Sequence, residues 1–343
     1  MFRLTAIPAK IVRRPKLWLA GLLLSAITQL AMPAAAQTAI SIGTAKDPNL
    51  GSQIVIAREK GFFKDSNLDV TINYFPSGGD LMAAVVGRSV QIGSSGATPA
   101  ITLRARPYPI KVLSQISDIS GAQQIIVHPL ITSLDALNGK KIAVMKNTSS
   151  QALFEAFAKA YGFDANKAEV TYMAPTEMLS SFSRGDVDAI SLWEPFTTRA
   201  RHLFKGKILV TGTQSYIPGK VGERRIYGDH SVLFSTETFI SEHPVTIKAV
   251  LSALARSNEY IEEHRSEASK ILATEFGIDP GDMAEIMTEN RYALAIDDEL
   301  ADDIDRLTDF LDSQKNIQSR PAARSWIDSA YLREVRPQLV TLK

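Results

Sequence analysis

Four short loops carry most of the chemistry this chain offers. Asn49-Leu50-Gly51-Ser52, Ser77-Gly78-Gly79 and Ser94-Ser95-Gly96-Ala97-Thr98 fall in the first third, and Asn147-Thr148-Ser149-Ser150 lies further on. Each places hydroxyl or amide donors at an expected helix start, where unpaired backbone N–H groups and the positive end of the helix dipole meet. Such a loop binds an oxyanion without any full positive charge. Ordinary N-capping draws on the same residue types, so one loop alone does not choose between the two roles. Several loops aimed at one space favour the anion. Trp193-Glu194-Pro195-Phe196 adds an aromatic wall that could stack on an organic ligand, or else a core Trp. Glu194 could accept from a ligand ammonium, or fix a loop as a structural carboxylate.

Other chemistries have no motif. The five histidines are scattered, and the chain has neither His-Glu-x-x-His, a Gly-x-Ser-x-Gly elbow, a Walker loop nor Gly-x-Gly-x-x-Gly. No metal site, catalytic residue or cofactor is expected. The acidic run Asp297 to Asp305 shares a helix with the Leu300, Ile304, Leu307, Leu311 stripe and reads as a solvated face. Glu223-Arg224-Arg225 reads as a solvated loop or as a guanidinium offered to an anion. Cysteine is absent, which excludes disulfides, thiolate sites and a lipidated N-terminal Cys.

The N-terminus has the form of a secretory signal. Lys10, Arg13, Arg14 and Lys16 precede a mostly apolar stretch from Leu17 to Met32, and Ala34-Ala35-Ala36 supplies small residues for cleavage after Ala36. The remaining 307 residues carry a net charge of −4, with no polybasic patch to recruit nucleic acid or anionic lipid. A monomer free in the periplasm is expected.

The elements that must position these loops repeat. From Ile40 the chain reads strand, polar loop, helix, Gly, strand, Pro, short helix, Gly, strand, and the same string recurs from Ile142 to Trp193. Strands alternating with helices at this spacing predict βαβ units on mostly parallel sheets, with ligands outside the carboxyl ends of the strands. Two units give two doubly wound lobes around a cleft. Gln123 to Val127 and Ser231 to Ser235 are the expected hinge strands, and from Glu242 onward the chain reads as helices only. Lobe one is then discontinuous, 37–122 plus 230–343, and lobe two is 123–229.

Gly61-Phe-Phe-Lys, Ser77-Gly-Gly, Val90-Gln-Ile-Gly-Ser-Ser-Gly, Leu137-Asn-Gly-Lys-Lys-Ile-Ala-Val and Arg184-Gly-Asp-Val-Asp-Ala, followed by Trp193-Glu-Pro, occur together in this order. Over about 40–240 the chain resembles the ABC-transporter substrate-binding proteins for nitrate, aliphatic sulfonates and taurine. The resemblance implies an α/β type-II periplasmic binding protein with a two-strand hinge. It maps ligand contacts to Ser77, Gly78, Ser95, Ala97 and Thr98 in lobe one, and to Asn147, Thr148, Ser149, Glu177, Trp193 and Glu194 in lobe two. It also implies delivery of a small anionic or zwitterionic organic solute, a sulfonate first among them, to an ABC permease in the inner membrane. A periplasmic enzyme on the same fold and a ligand-sensing module for a membrane receptor are the alternatives.

Overall fold

Two sheets form where the two copies of the strand–helix pattern predict them. The computed structural model describes residues 37–343 apart from Ser77 and Pro107; the expected signal peptide, residues 1–36, lies outside the described residues. In the first copy β1 (Thr38–Ala45), β2 (Leu68–Phe75) and β3 (Ile92–Gly96) pair in parallel, with β1 central. β4 (Ile110–Asp118) follows, and the chain crosses to a second sheet at β5 (Gln123–Val127). The second copy there is β6 (Lys141–Val144), β7 (Glu169–Tyr172) and β8 (Ala189–Trp193), again parallel with the first strand central. β9 (Lys207–Thr211), β10 (Gln214–Ser215) and β11 (Gly222–Glu223) extend that sheet, before the chain returns to place β12 (His230–Thr236) and β13 (Arg291–Ala295) in the first. The orders are β13-β4-β12-β3-β1-β2 and β11-β10-β9-β5-β8-β6-β7.

Each copy also receives one antiparallel strand beside its third parallel strand, β12 on β3 and β5 on β8. These two strands were the expected hinge, and both are instead full members of the sheet they enter. All five residues of β5 are buried, which is the mark of an interior strand rather than a connector. The crossings are the short segments just before them, 119–122 and 224–229. They lie side by side: Ile119 N donates to Asp229 O and Asp229 N to Ser120 Oγ, both at 3.0 Å.

The C-terminal part is mostly helical, in helices Pro244–Glu263, Arg265–Phe276, Pro280–Thr288 and Asp298–Ser313. β13 corrects the reading of this part as helices only. Arg291, Tyr292 and Ala295 pair antiparallel with β4 at the sheet edge, with an irregularity between the last two, and there the open ladder decides conformation for an Ala-containing segment of weak strand preference.

Helix Asp298–Ser313 buries Leu300, Ile304, Leu307 and Leu311 against helix Ala97–Arg104, as their spacing requires. One acid on the same helix departs from the solvated reading. Asp303 is only 1 % exposed, 2.8 Å from His230 Nε2, and accepts from Arg225 at 2.8 Å and from Arg306. Burial alone would raise its pKa. The hydrogen bond and positive charge of His230, with the two guanidiniums, outweigh burial and hold it well below the usual carboxylate range. Arg225 also reaches Asp118 at 3.0 Å, so this guanidinium, on an exposed residue, ties the end of β4 to the returning segment. Gly228 permits the contact, since a Cβ there would overlap the Asp303 carboxyl group.

Candidate functional site

A cavity of about 1040 Å³ opens between the two sheets, and the starts of several helices converge on it. The reason is topological. In a parallel βαβ unit every helix begins at the carboxyl end of the preceding strand, so all the starts on one sheet face the same way. Asp47, Gly78, Gly96 and Thr98 line the cavity from the first sheet's side, and Thr148, Ser149, Pro175 and Pro195 from the second's.

Some of these starts are already satisfied. Helix Pro48–Glu59 is capped by Asp47, whose carboxylate accepts from Asn49 N at 2.7 Å. Its first turn includes Asn49, Leu50 and Gly51, which the sequence reading took for a loop. An Asp before a Pro at the first helical position is a sufficient start signal. Thr148 caps helix Ser149–Tyr161, accepting from Ser150 N and donating its hydroxyl to Met145 O at 2.8 Å. The Glu194 carboxylate, one residue before the Pro195 N-cap position, accepts from Thr198 N in the first turn of helix Phe196–Phe204 at 3.0 Å.

Others are open. Helices Ala97–Arg104 and Pro175–Arg184 have no side-chain cap. Beside the first of them, Thr98 Oγ1 is buried with no hydrogen-bond partner, and so are Gln123 Oε1 at the start of β5 and Asn147 Oδ1. Of these three atoms on the cavity wall, the Thr98 hydroxyl can donate or accept, whereas the two amide oxygens can only accept.

Of the residues named from sequence, Gly78, Ser95, Thr98, Asn147, Thr148, Ser149 and Trp193 lie in the cavity wall. Ala97 is fully buried behind it, and Glu177 is exposed outside it. Ser77 lies outside the described residues. Glu194 is completely buried and does not line the cavity; of its two readings, the structural one describes its contacts. Besides Thr198 it holds Gln124 Nε2 at 3.4 Å and Arg201 at 3.3 Å, and burial raises its pKa against these partners. Trp193 stands edge-on to Phe196, ring centroids 6.2 Å apart, forming an aromatic corner.

Sequence reasoning missed several wall residues. Gln123 was assigned to the hinge, and Lys46, Arg106 and Arg199 carried no motif, yet all three cations are exposed on the wall. Two carboxyls also reach it. Burial pushes Asp47 up to about 7, helped by the charge of Glu194 against the hydrogen bonds from Asn49. Burial likewise raises Asp229 to about 7, against His230 and its hydrogen bonds. Near neutral pH these two carboxyls therefore carry less negative charge than ordinary ones, while the wall also presents acceptor oxygens at Gln123 and Asn147.

Residues 51–268 match the family described as NMT1/THI5 like. The chain belongs to the NMT1/THI5-like family. Among relatives in sequence, it is 26 % identical to the taurine-binding periplasmic protein of Escherichia coli (strain K12), over 79 % of this chain and 82 % of that protein. In structure, the periplasmic aliphatic sulphonate binding protein SsuA from Escherichia coli superimposes with a TM-score of 0.73 at 20 % identity, covering 84 % of this chain and 97 % of that one. The desulfurization enzyme DSZB superimposes with a TM-score of 0.68 at 14 % identity, over 88 % and 99 %. This NMT1/THI5-like chain thus has the two-sheet α/β fold of periplasmic binding proteins, a fold that at least one enzyme shares.

Proposed function

We propose that this protein is the solute-capturing component of a membrane importer. It binds an organic anion of the sulfonate class between its two lobes, in the periplasm, and hands it to an ABC permease. The observation that carries the reading is the cavity wall itself: open helix starts, the unpartnered buried hydroxyl of Thr98, and an aromatic corner at Trp193, contributed from both sheets. Oxyanions are held by such donors, and an organic substituent is held by the aromatic wall. Delivery needs a closed form distinct from the open one, and only a ligand contacting both lobes favours closure. The lobe division 37–122 plus 230–343 and 123–229 belongs to the same proposal.

Capture is favoured over catalysis because the candidate nucleophiles spend their protons on the backbone. Ser95 Oγ donates to Gly96 O at 2.9 Å and Thr148 Oγ1 to Met145 O, so neither is activated by a neighbouring base. The test is titration of the mature protein with sulfonates, taurine, nitrate and carboxylates, read by thermal shift and by Trp193 fluorescence. A bound ligand at a hundred times its Kd raises stability by about 2.7 kcal/mol and is recovered unchanged. In Thr98→Ala the affinity falls by roughly fivefold to a hundredfold, through a lost hydrogen bond to a charged group. Chemical turnover of the ligand, or no response to any anion, rejects the proposal.

A further inference from the structure

Beside the cavity, lobe two meets the C-terminal helices through a contact that holds more negative charge than positive. Helix Phe196–Phe204 of lobe two carries Arg201 and His202 in its last turn, and Glu194 lies just before its start. Helix Pro280–Thr288 of lobe one faces them with Asp282 and Glu285, and Glu289 follows at its C-cap. Arg201 bonds Glu285 and reaches Glu194 at 3.3 Å. His202 places Nδ1 2.8 Å from Asp282 and Nε2 3.0 Å from Glu285. A neutral imidazole has a single N–H and donates to only one of these carboxylates, whereas the doubly protonated ring donates to both. Glu289 packs on the crossing segment 119–122, where a Cβ at Gly121 would overlap its carbonyl oxygen. Rotation of the lobes about that segment therefore changes the surroundings of Glu289 directly.

We infer that this contact is a proton-operated latch on lobe closure, an inference that rests on the capture reading above: bringing the lobes together takes up protons, so acid favours the closed form and alkali the open one. With the lobes in contact, burial first and then the charge of Glu194, opposed by Arg201 and joined by Glu285, push Glu289 up to about 7. Opened to water, the same carboxyl returns toward the ordinary glutamate value, about 4. Closure is therefore progressively disfavoured as pH rises from about 4 to about 7. His202 acts in the same direction, because its second N–H has a carboxylate to meet only when the lobes touch. The other charged groups around the contact leave this sign unchanged. Asp47 and Glu194 repel one another, which adds a further acid of the same tendency. Burial, and after it Glu289, raises the Tyr216 phenol, which stays neutral. Arg265 donates to Met287 O at 2.6 Å, and on the neighbouring helix Pro175–Arg184 the last residue pairs with Asp186 at 2.7 Å.

The test needs no ligand, so proton uptake tied to a bound anion plays no part in it. Small-angle scattering of the mature protein, with a dye pair spanning the lobes, follows the open-to-closed ratio from pH 8 to pH 5. One proton taken up on closing shifts that ratio by up to about tenfold per pH unit, and a shift of at least tenfold toward the compact form is expected over the range. Glu289→Gln, permanently neutral, is already compact at pH 8. His202→Gln, which cannot become charged, moves the other way and is more open than the parent at pH 5. Contacts that only brace the structure would loosen in both variants alike. The melting temperature of each variant reports that it is folded. A ratio that stays flat from pH 8 to pH 5, or the two variants shifting in one direction, overturns the latch and leaves the capture reading standing. Contraction in acid by a protein that binds no sulfonate, taurine, nitrate or carboxylate overturns the capture reading instead.

Discussion

Which hydroxyl or amide is free, not which residue type stands at a helix start, decides the chemistry at the residue scale. Ser95, Thr98 and Thr148 look alike in sequence, yet Thr148 is a cap and Thr98 has an unpartnered buried oxygen. The carboxyls of Asp47 and Asp229 follow the same logic, since burial raises both to about 7. A pKa raised by folding makes stability fall as pH rises from the unfolded carboxylate value, about 4, to about 7, where each group ionises in the native state. A bound anion raises these pKa values further, so binding takes up protons and tightens as pH falls from 8 to 6. Calorimetry in buffers of different ionisation enthalpy detects that uptake, and Asp47→Asn removes part of it. Equal affinity at both pH values with no proton uptake contradicts the placement of the anion beside these carboxyls.

Among elements, helix Asp298–Ser313 shows how far a pattern can be read. Its Leu300, Ile304, Leu307, Leu311 stripe follows from spacing and is buried as expected. The burial of Asp303 has no local signal, because in sequence it is one acid among several. What selects it is the meeting of this helix with the Arg225 to His230 return segment, elements far apart in the chain. Replacing Asp303 by Ala leaves buried His230 without its carboxylate and costs about 3 kcal/mol in denaturant unfolding, the low end for a broken buried pair. The low end applies because Arg225 retains Asp118 and Glu299. The depressed pKa of Asp303 means that its contribution, full above about pH 4, disappears only in stronger acid. An Asp303→Ala protein as stable as the parent would show that the network contributes no net stability.

Considering the whole molecule, the lobes are held together on both flanks of the cavity. On one flank Arg201 and His202, in helix Phe196–Phe204, meet Glu285 and Asp282 of helix Pro280–Thr288, with His202 Nδ1 2.8 Å from Asp282 and Nε2 3.0 Å from Glu285. Beside them Asn49 Nδ2 donates to Glu194 O at 2.7 Å, a buried bond between the two lobes. On the other flank Gln151 donates to Gln314 at 3.0 Å, and Asn147 to Asn316 at 3.3 Å. In the capture cycle proposed above, separation of the lobes would break these contacts, so they would favour the closed form. Glu285→Gln weakens the first flank by roughly 1 kcal/mol, about a fivefold loss of ligand affinity. Small-angle scattering then shows a larger unliganded particle that contracts on adding ligand. An unchanged scattering profile and Kd would remove these contacts from the closing equilibrium.

The duplicated strand–helix string, the stripe of Leu300 and its partners, and the donor loops before helices are local properties, set by side-chain size, periodicity and capping chemistry, and the chain alone determined them. The Asp47-Pro48 helix start was equally local and could have been read. Pairing was not local. Whether Gln123–Val127 spans the lobes or lies inside a sheet, whether Arg291–Ala295 becomes an edge strand, and whether Glu194 faces a ligand or accepts from the first turn of a helix depended on neighbours arriving from distant parts of the sequence. Burial and hydrogen-bond partnership are relations between elements, and only their packing assigned the free donors to the cavity and the spent ones to the frame.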